Sequence, residues 1–101
     1  MTNTRVVEMQ EAIAHFLGYI IQRLENYDKE LDRKTLIEEF ASDRFITKYA
    51  VTRYFNLLAN SSQRPLIWNK PTDTVKLNVE KQDCQIAIGN NRIRMPKKVK
   101  T

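Results

Sequence analysis

Polar side chains between residues 49 and 60 have the spacing of one helical stripe. The stripe consists of Tyr49, Arg53, Asn56 and Asn60, at positions i, i+4, i+7 and i+11. Residues at these intervals lie on one side of an α-helix. An arginine there can bind guanine O6 and N7 with two hydrogen bonds, and an asparagine can bind adenine N6 and N7 in the same way. The chemistry that this spacing offers is hydrogen bonding to the edges of base pairs.

The residues around the stripe add positive charge without adding negative charge, since no acidic residue occurs between Asp43 and Asp73. The free N–H groups at the N-terminus of a helix favour the binding of phosphates. Thr47 and Lys48 lie at the start of this segment and are therefore well placed to bind phosphates. We predict that bases are read by Tyr49, Thr52, Arg53 and Asn56. We predict that phosphates are bound by Arg44, Thr47, Lys48, Arg64, Lys70 and Lys76. The alternative interpretation is an ordinary solvated helix face.

The charge of the chain is unevenly distributed along its length. The 101 residues carry a net charge of +5, but residues 1–43 carry −4 and residues 44–101 carry +9. A basic half beside an acidic half favours a polyanionic partner on one side of the molecule. An accidental asymmetry of a solubilising surface is the alternative.

The residue types that enzymes and metal sites need are scarce. The chain has one histidine, His15, one cysteine, Cys84, and two glycines, Gly18 and Gly89. A single histidine and a single cysteine do not form a zinc site, and separated glycines do not form a phosphate-binding loop. We therefore expect no catalytic activity, no metal and no cofactor. Cys84 heads an apolar alternation and is expected to be a small buried side chain.

The start of the chain and its apolar runs predict a soluble protein. Charged residues and a histidine occupy the region where a secretory signal would be apolar, and every apolar run is shorter than the roughly 18 residues of a membrane span. With one cysteine and no disulfide framework, we expect a cytoplasmic protein that does not contact membranes.

Apolar periodicity predicts three helices. The first runs from about Arg5 to Asn26 and carries a long stripe of large apolar residues. The second follows Asp32 as its N-cap and ends at about Asp43. The third follows Thr47 as its cap and runs from Lys48 to about Ala59. Its predicted buried residues are Ala50, Val51, Tyr54, Leu57 and Leu58.

After Pro65 the apolar period changes from helical to two, which predicts strands. One hairpin is predicted to join residues 66–68 to residues 75–79 through a tight turn at 70–73. A second is predicted between Cys84 and Met95, around a turn that contains Gly89. Residues 96–101 form a basic tail that we expect to be flexible. The whole chain, 1–101, is predicted to be one α+β domain.

This order of elements resembles the winged helix-turn-helix family. Residues 36–41 are similar to its scaffolding helix, residues 50–58 to its recognition helix, and residues 65–68 to the strand that enters its wing. The resemblance covers residues 32–80. It departs from the family pattern in the glycine-free passage from Asn60 to Arg64 and in the additional hairpin after residue 83.

The resemblance implies sequence-specific binding of double-stranded DNA, in transcriptional regulation or as a replication accessory factor. Because the first helix carries a longer apolar stripe than a three-helix core needs, its residues 5–26 are also predicted to form a homodimer. The alternative is a winged-helix module for protein–protein assembly, whose partner is an acidic protein or an RNA.

Overall fold

The computed structural model describes residues 4–98, and these residues form three helices and five short antiparallel strands, four of which follow the helices. The helices are α1 (Thr4–Leu24), α2 (Arg33–Arg44) and α3 (Lys48–Ala59). The strands are β1 (Leu31–Asp32), β2 (Leu66–Asn69), β3 (Thr74–Leu77), β4 (Gln85–Ile88) and β5 (Asn91–Arg94), with one 3₁₀ turn at Val79–Lys81. The predicted α+β class is confirmed and all three predicted helices are present, with β1 as an additional strand between α1 and α2.

The apolar stripe of α1 forms the centre of the core. Phe16, Leu17, Ile20 and Leu24 are completely buried against the other elements. Tyr27, just beyond the helix, is buried as well, and its hydroxyl donates a hydrogen bond to the carbonyl of Pro96. Burial of this ring raises the pKa of Tyr27 above its ordinary value. This contact ties the end of the described chain to the connection that follows α1.

A turn of three residues joins α2 to α3. Thr47 caps α3 as predicted, because its Oγ1 accepts a hydrogen bond of 3.1 Å from the N–H of Ala50. Asp32 stands at the N-cap of α2, but its side chain makes no capping hydrogen bond. The predicted role of the Asp32 carboxylate is therefore wrong. The residue instead has extended backbone angles and belongs to β1, where it pairs with Thr74.

The buried face of α3 differs from the predicted one. Val51, Phe55 and Leu58 are buried, whereas Leu57 is 48% exposed and Ala50 and Tyr54 are half-buried. The prediction for Leu57 is wrong, and Phe55 is a core residue that it left out. Both sets have helical spacing, so only the packing of α3 against its neighbours decides which one faces the core.

Both predicted hairpins are present, and the first belongs to a larger sheet. β2 pairs with β3 from Leu66 opposite Leu77 to Asn69 opposite Thr74, and β1 pairs with the other edge of β3. The strand order is therefore β1-β3-β2. The two-residue strand β1 has too little sequence for an apolar alternation, and the sequence pattern did not predict it.

The second hairpin, β4–β5, packs on α1. Ile86 is buried in the same core, and so is Met95 just after β5. Gly89 adopts a φ of +60° in the connecting turn, which a glycine tolerates without strain. Cys84 is exposed, so its predicted burial is wrong. Cys84 directly precedes β4, and its carbonyl accepts a hydrogen bond from the N–H of Met95. This bond fixes the backbone of Cys84, while its thiol lies at the surface.

Candidate nucleic-acid interface

The outward face of α3 carries four of the predicted contact residues. Lys48, Tyr49, Arg53 and Asn56 are all exposed, and Tyr49 is 76% exposed. Thr52 is half-buried at the border between this face and the core. Its hydroxyl donates a hydrogen bond of 2.7 Å to the carbonyl of Lys48. The described helix thus presents a cationic and amide-bearing edge, with the Thr52 hydroxyl already engaged by the backbone.

Two carboxylates from other helices approach this edge. Glu38 of α2 lies with its Oε1 3.6 Å from the Nζ of Lys48. Glu8 of α1 lines a cavity of about 270 Å³ together with Arg53. Both carboxylates belong to other helices and come near α3 only through tertiary packing. The stretch without acidic residues between Asp43 and Asp73 therefore gave no indication of them. Glu38 lowers the positive potential at Lys48 locally, whereas Glu8 shares its cavity with a second cation, Arg5.

The hairpin β2–β3 is fastened to the helices through one carboxylate. Asp73 accepts hydrogen bonds from Arg33 Nε at 2.7 Å and from Trp68 Nε1 at 2.9 Å. The guanidinium of Arg33 and the Trp68 indole hold the pKa of this carboxyl below its ordinary value. Trp68 also packs edge-on against Phe55 of α3, with ring centroids 5.4 Å apart. The hairpin therefore has a fixed position against α2 and α3.

The cations of the hairpin have different surroundings. The Nζ of Lys70 lies 5.2 Å from the centroid of the Trp68 ring, a cation–π distance. Lys76 on β3 is half-buried. Arg64 is exposed, has a φ of 49°, and offers its carbonyl to Asn78 Nδ2 at 2.9 Å. Buried Asn78 therefore fixes the backbone at the base of the hairpin while the Arg64 side chain stays outside.

A cluster of hydrogen-bonded side chains links α1 to α2. Glu39 accepts hydrogen bonds from Tyr19 at 2.5 Å and from Arg23 Nε at 2.8 Å. Burial and the bond to this carboxylate raise the pKa of Tyr19 to about 12, and Arg23 lowers the pKa of Glu39. This cluster engages Glu39 with α1, whereas its neighbour Glu38 lies beside Lys48.

Two residues of the α2–α3 connection have contrasting roles. Arg44, a predicted phosphate contact, lies with its guanidinium 5.4 Å from the ring centroid of Phe40 and is exposed. Phe45 is 97% exposed and was not among the predicted site residues. Ile46 already occupies the position before the Thr47 cap, where an apolar residue packs against the helix. Phe45 is a second large apolar residue next to it, and this surplus is the signal in the sequence that could have indicated an exposed ring.

No family model, curated protein or solved structure matches this chain. Within residues 4–98, no group of three or more histidine, cysteine or acidic side chains is arranged to hold a metal ion. Over the same residues, no helix has the length and apolar character required to cross a membrane.

Proposed function

We propose that this protein is a winged helix-turn-helix protein that binds double-stranded DNA in a sequence-specific manner. In this proposal α2 and α3 form the helix-turn-helix, α3 enters the major groove, and β2–β3 is the wing. A role in transcriptional regulation or as a replication accessory factor fits such binding. The strand order β1-β3-β2, with β1 directly before α2, supports the proposal because it lets one sheet brace both the helix pair and the hairpin.

The observation that carries this proposal is the exposed edge of α3. Arg53 and Asn56 present the two side chains best suited to paired hydrogen bonds with guanine and adenine, and Tyr49 lies one turn before Arg53. Lys48 at the start of the helix, and Lys70 and Lys76 on the hairpin, would hold phosphates and set the orientation of the protein on the duplex.

Selection of bound sequences from a random duplex library tests this proposal, with affinities then measured by fluorescence anisotropy. On the selected duplex, Arg53→Ala should weaken binding by about 1–3 kcal/mol and relax the preference at one base pair. Lys76→Ala should instead weaken binding to all duplexes alike and reduce the salt slope by about 0.9.

Lys29→Ala is the matched control, because it removes one exposed positive charge outside α3 and the hairpin. It should leave the selected duplex bound as in the wild type. Recovery of no preferred sequence, or equal losses for Arg53→Ala and Lys29→Ala, would contradict base reading by α3.

A second candidate function, protein–protein assembly, is favoured by an apolar groove. The groove has a volume of about 260 Å³ and lies between α1, α3 and β4. Its lining includes Met9, Ile13 and the exposed Leu57. If Leu57→Ser abolishes capture of an acidic protein while Arg53→Ala leaves that capture unchanged, the assembly function replaces the DNA-binding function.

The predicted homodimer through α1 is part of the same proposal. The hairpin β4–β5 packs on a portion of the α1 stripe, and Val6 near the beginning of the helix stays 43% exposed. A second copy would cover this uncovered end and place two α3 helices on neighbouring half-sites. Sedimentation equilibrium at micromolar concentration tests it, since a dimer doubles the 11.9 kDa of the chain.

A further inference from the structure

Two aromatic side chains, one in the α2–α3 turn and one in the first turn of α3, are largely exposed to solvent. Phe45 is 97% exposed and Tyr49, four residues later, is 76% exposed. Among the described residues, the other exposed large apolar side chains retain only 36–48% exposure. Water around a free phenyl ring is unfavourable, so a ring exposed to this extent marks a contact surface more strongly than a half-exposed aliphatic residue does.

The backbone holds Phe45 in this outward position. Its φ is 55°, a left-handed conformation that bulky residues rarely adopt. The N–H of Phe45 bonds the carbonyl of Ser42 at 3.4 Å, and the N–H of Ile46 bonds the carbonyl of Ala41 at 3.0 Å. Ile46 turns toward the core, so the chain reverses direction at Phe45 and leaves its ring outside.

We propose that Phe45 and Tyr49 recognise the C5-methyl groups of thymines in the DNA duplex. This inference depends on the proposed function, because it assigns a base preference to the same end of α3. Tyr49 lies on the stripe of Arg53 and Asn56, so a duplex that meets those two side chains meets the Tyr49 ring as well. The thymine methyl is the apolar group that base pairs display in the major groove, and an aromatic ring packs against it.

Replacement of thymine by deoxyuridine provides the test, because it removes only the methyl group and keeps every hydrogen-bonding atom of the base. The probe is the duplex recovered by library selection, synthesised once with thymine and once with deoxyuridine. The wild-type protein should bind the deoxyuridine duplex about fourfold more weakly for each methyl group that it covers, which is the factor for about 0.8 kcal/mol per buried carbon.

Variants of the two aromatic residues assign this difference to their rings. Phe45→Asn removes the ring and places at φ 55° a residue that tolerates the left-handed conformation, so the fold should be retained. Tyr49→Ala keeps a good helix former in α3. Each variant should reduce the difference between the two duplexes, and the double variant should abolish it. Val79→Ala, which shortens an exposed apolar residue outside α3, should leave the difference unchanged.

The outcomes separate this inference from the function on which it depends. Tight but equal binding of both duplexes would overturn thymine recognition and leave DNA binding intact. A difference that persists in the double variant would also overturn it, as would a preference for single strands that is lost in Phe45→Asn, since that result indicates stacking on unpaired bases. If the wild type binds neither duplex, the proposed function fails and the inference fails with it.

Discussion

At the scale of single residues, Asp73 links the hairpin β2–β3 to α2 through its hydrogen bonds. Its φ of 54° is left-handed, and its carboxylate accepts hydrogen bonds from Arg33 and Trp68. Asp73→Asn suits this backbone conformation and keeps an acceptor for Trp68, but removes the charge that Arg33 faces. We expect a lower free energy of unfolding at pH 7 for this variant, measured by urea denaturation followed by the fluorescence of Trp68.

The pH dependence of that difference follows from the lowered pKa of Asp73. A carboxylate with a folded-state pKa below its ordinary 3.8 stabilises the protein fully above that value. The contribution disappears as the pH falls through the lower, folded-state pKa. The wild type and Asp73→Asn should therefore differ at pH 7, and the difference should shrink as the pH falls below 3.8. A difference that stays constant down to pH 2 would show that the charge is not its source.

At the scale of elements, the side chain of Gln63 connects the segment after α3 to β4. Its amide makes the pair of hydrogen bonds that a neighbouring strand would make. The amide of Gln63 donates to the carbonyl of Ala87 at 2.6 Å and accepts from the N–H of Ala87 at 2.8 Å. Gln63→Ala removes both bonds at the outer edge of β4. At about 0.5–1.5 kcal/mol for each hydrogen bond, the free energy of unfolding should fall by about 1–3 kcal/mol.

Hydrogen exchange localises this effect to the second hairpin. The amide of Ala87 should exchange faster in Gln63→Ala, while amides in α2 keep their protection relative to the global stability. Gln22→Ala is the matched control, because it shortens an exposed glutamine on α1. Equal stability of the two variants would mean that the Gln63 amide does not hold β4–β5 in place.

The elements also show which parts of the structure the sequence could predict. Helices and hairpins have repeating local patterns, and Thr47 and Gly89 mark their ends through local backbone chemistry. The inward face of α3 has no such local mark. Val51 and Phe55 lie on one apolar stripe and Ala50 and Tyr54 on the next, and either stripe could face the core. Similarly, β1 exists only because β3 offers it an edge. Contacts between distant segments decide both features, and such contacts leave no local pattern.

At the scale of the whole molecule, the acidic and basic parts of the chain are adjacent in space. Glu38 belongs to residues 1–43, which carry −4, and Lys48 belongs to residues 44–101, which carry +9. Their side chains lie 3.6 Å apart and are both largely exposed. An exposed pair of this kind stabilises a fold by at most about 1 kcal/mol, so its main effect is on the potential at the beginning of α3.

Removal of the Glu38 charge should therefore strengthen the proposed binding to DNA. In Glu38→Gln, Lys48 is free to pair with a phosphate, and the repulsion between that phosphate and the carboxylate disappears. We expect affinity for the selected duplex to rise about two- to fivefold at 0.1 M salt, which corresponds to the range for exposed pairs. The slope of log affinity against log salt should steepen by up to about 0.9, as for one additional phosphate contact.

Asp28→Asn separates this local effect from the change in net charge. It also removes one exposed negative charge, but from the connection between α1 and β1. Because Asp28 takes part in none of the ion pairs found among residues 4–98, its removal frees no lysine or arginine for a phosphate. Glu38→Gln should consequently bind the duplex more tightly than Asp28→Asn does. Equal affinities would show that net charge alone attracts the duplex and that no phosphate lies at Lys48.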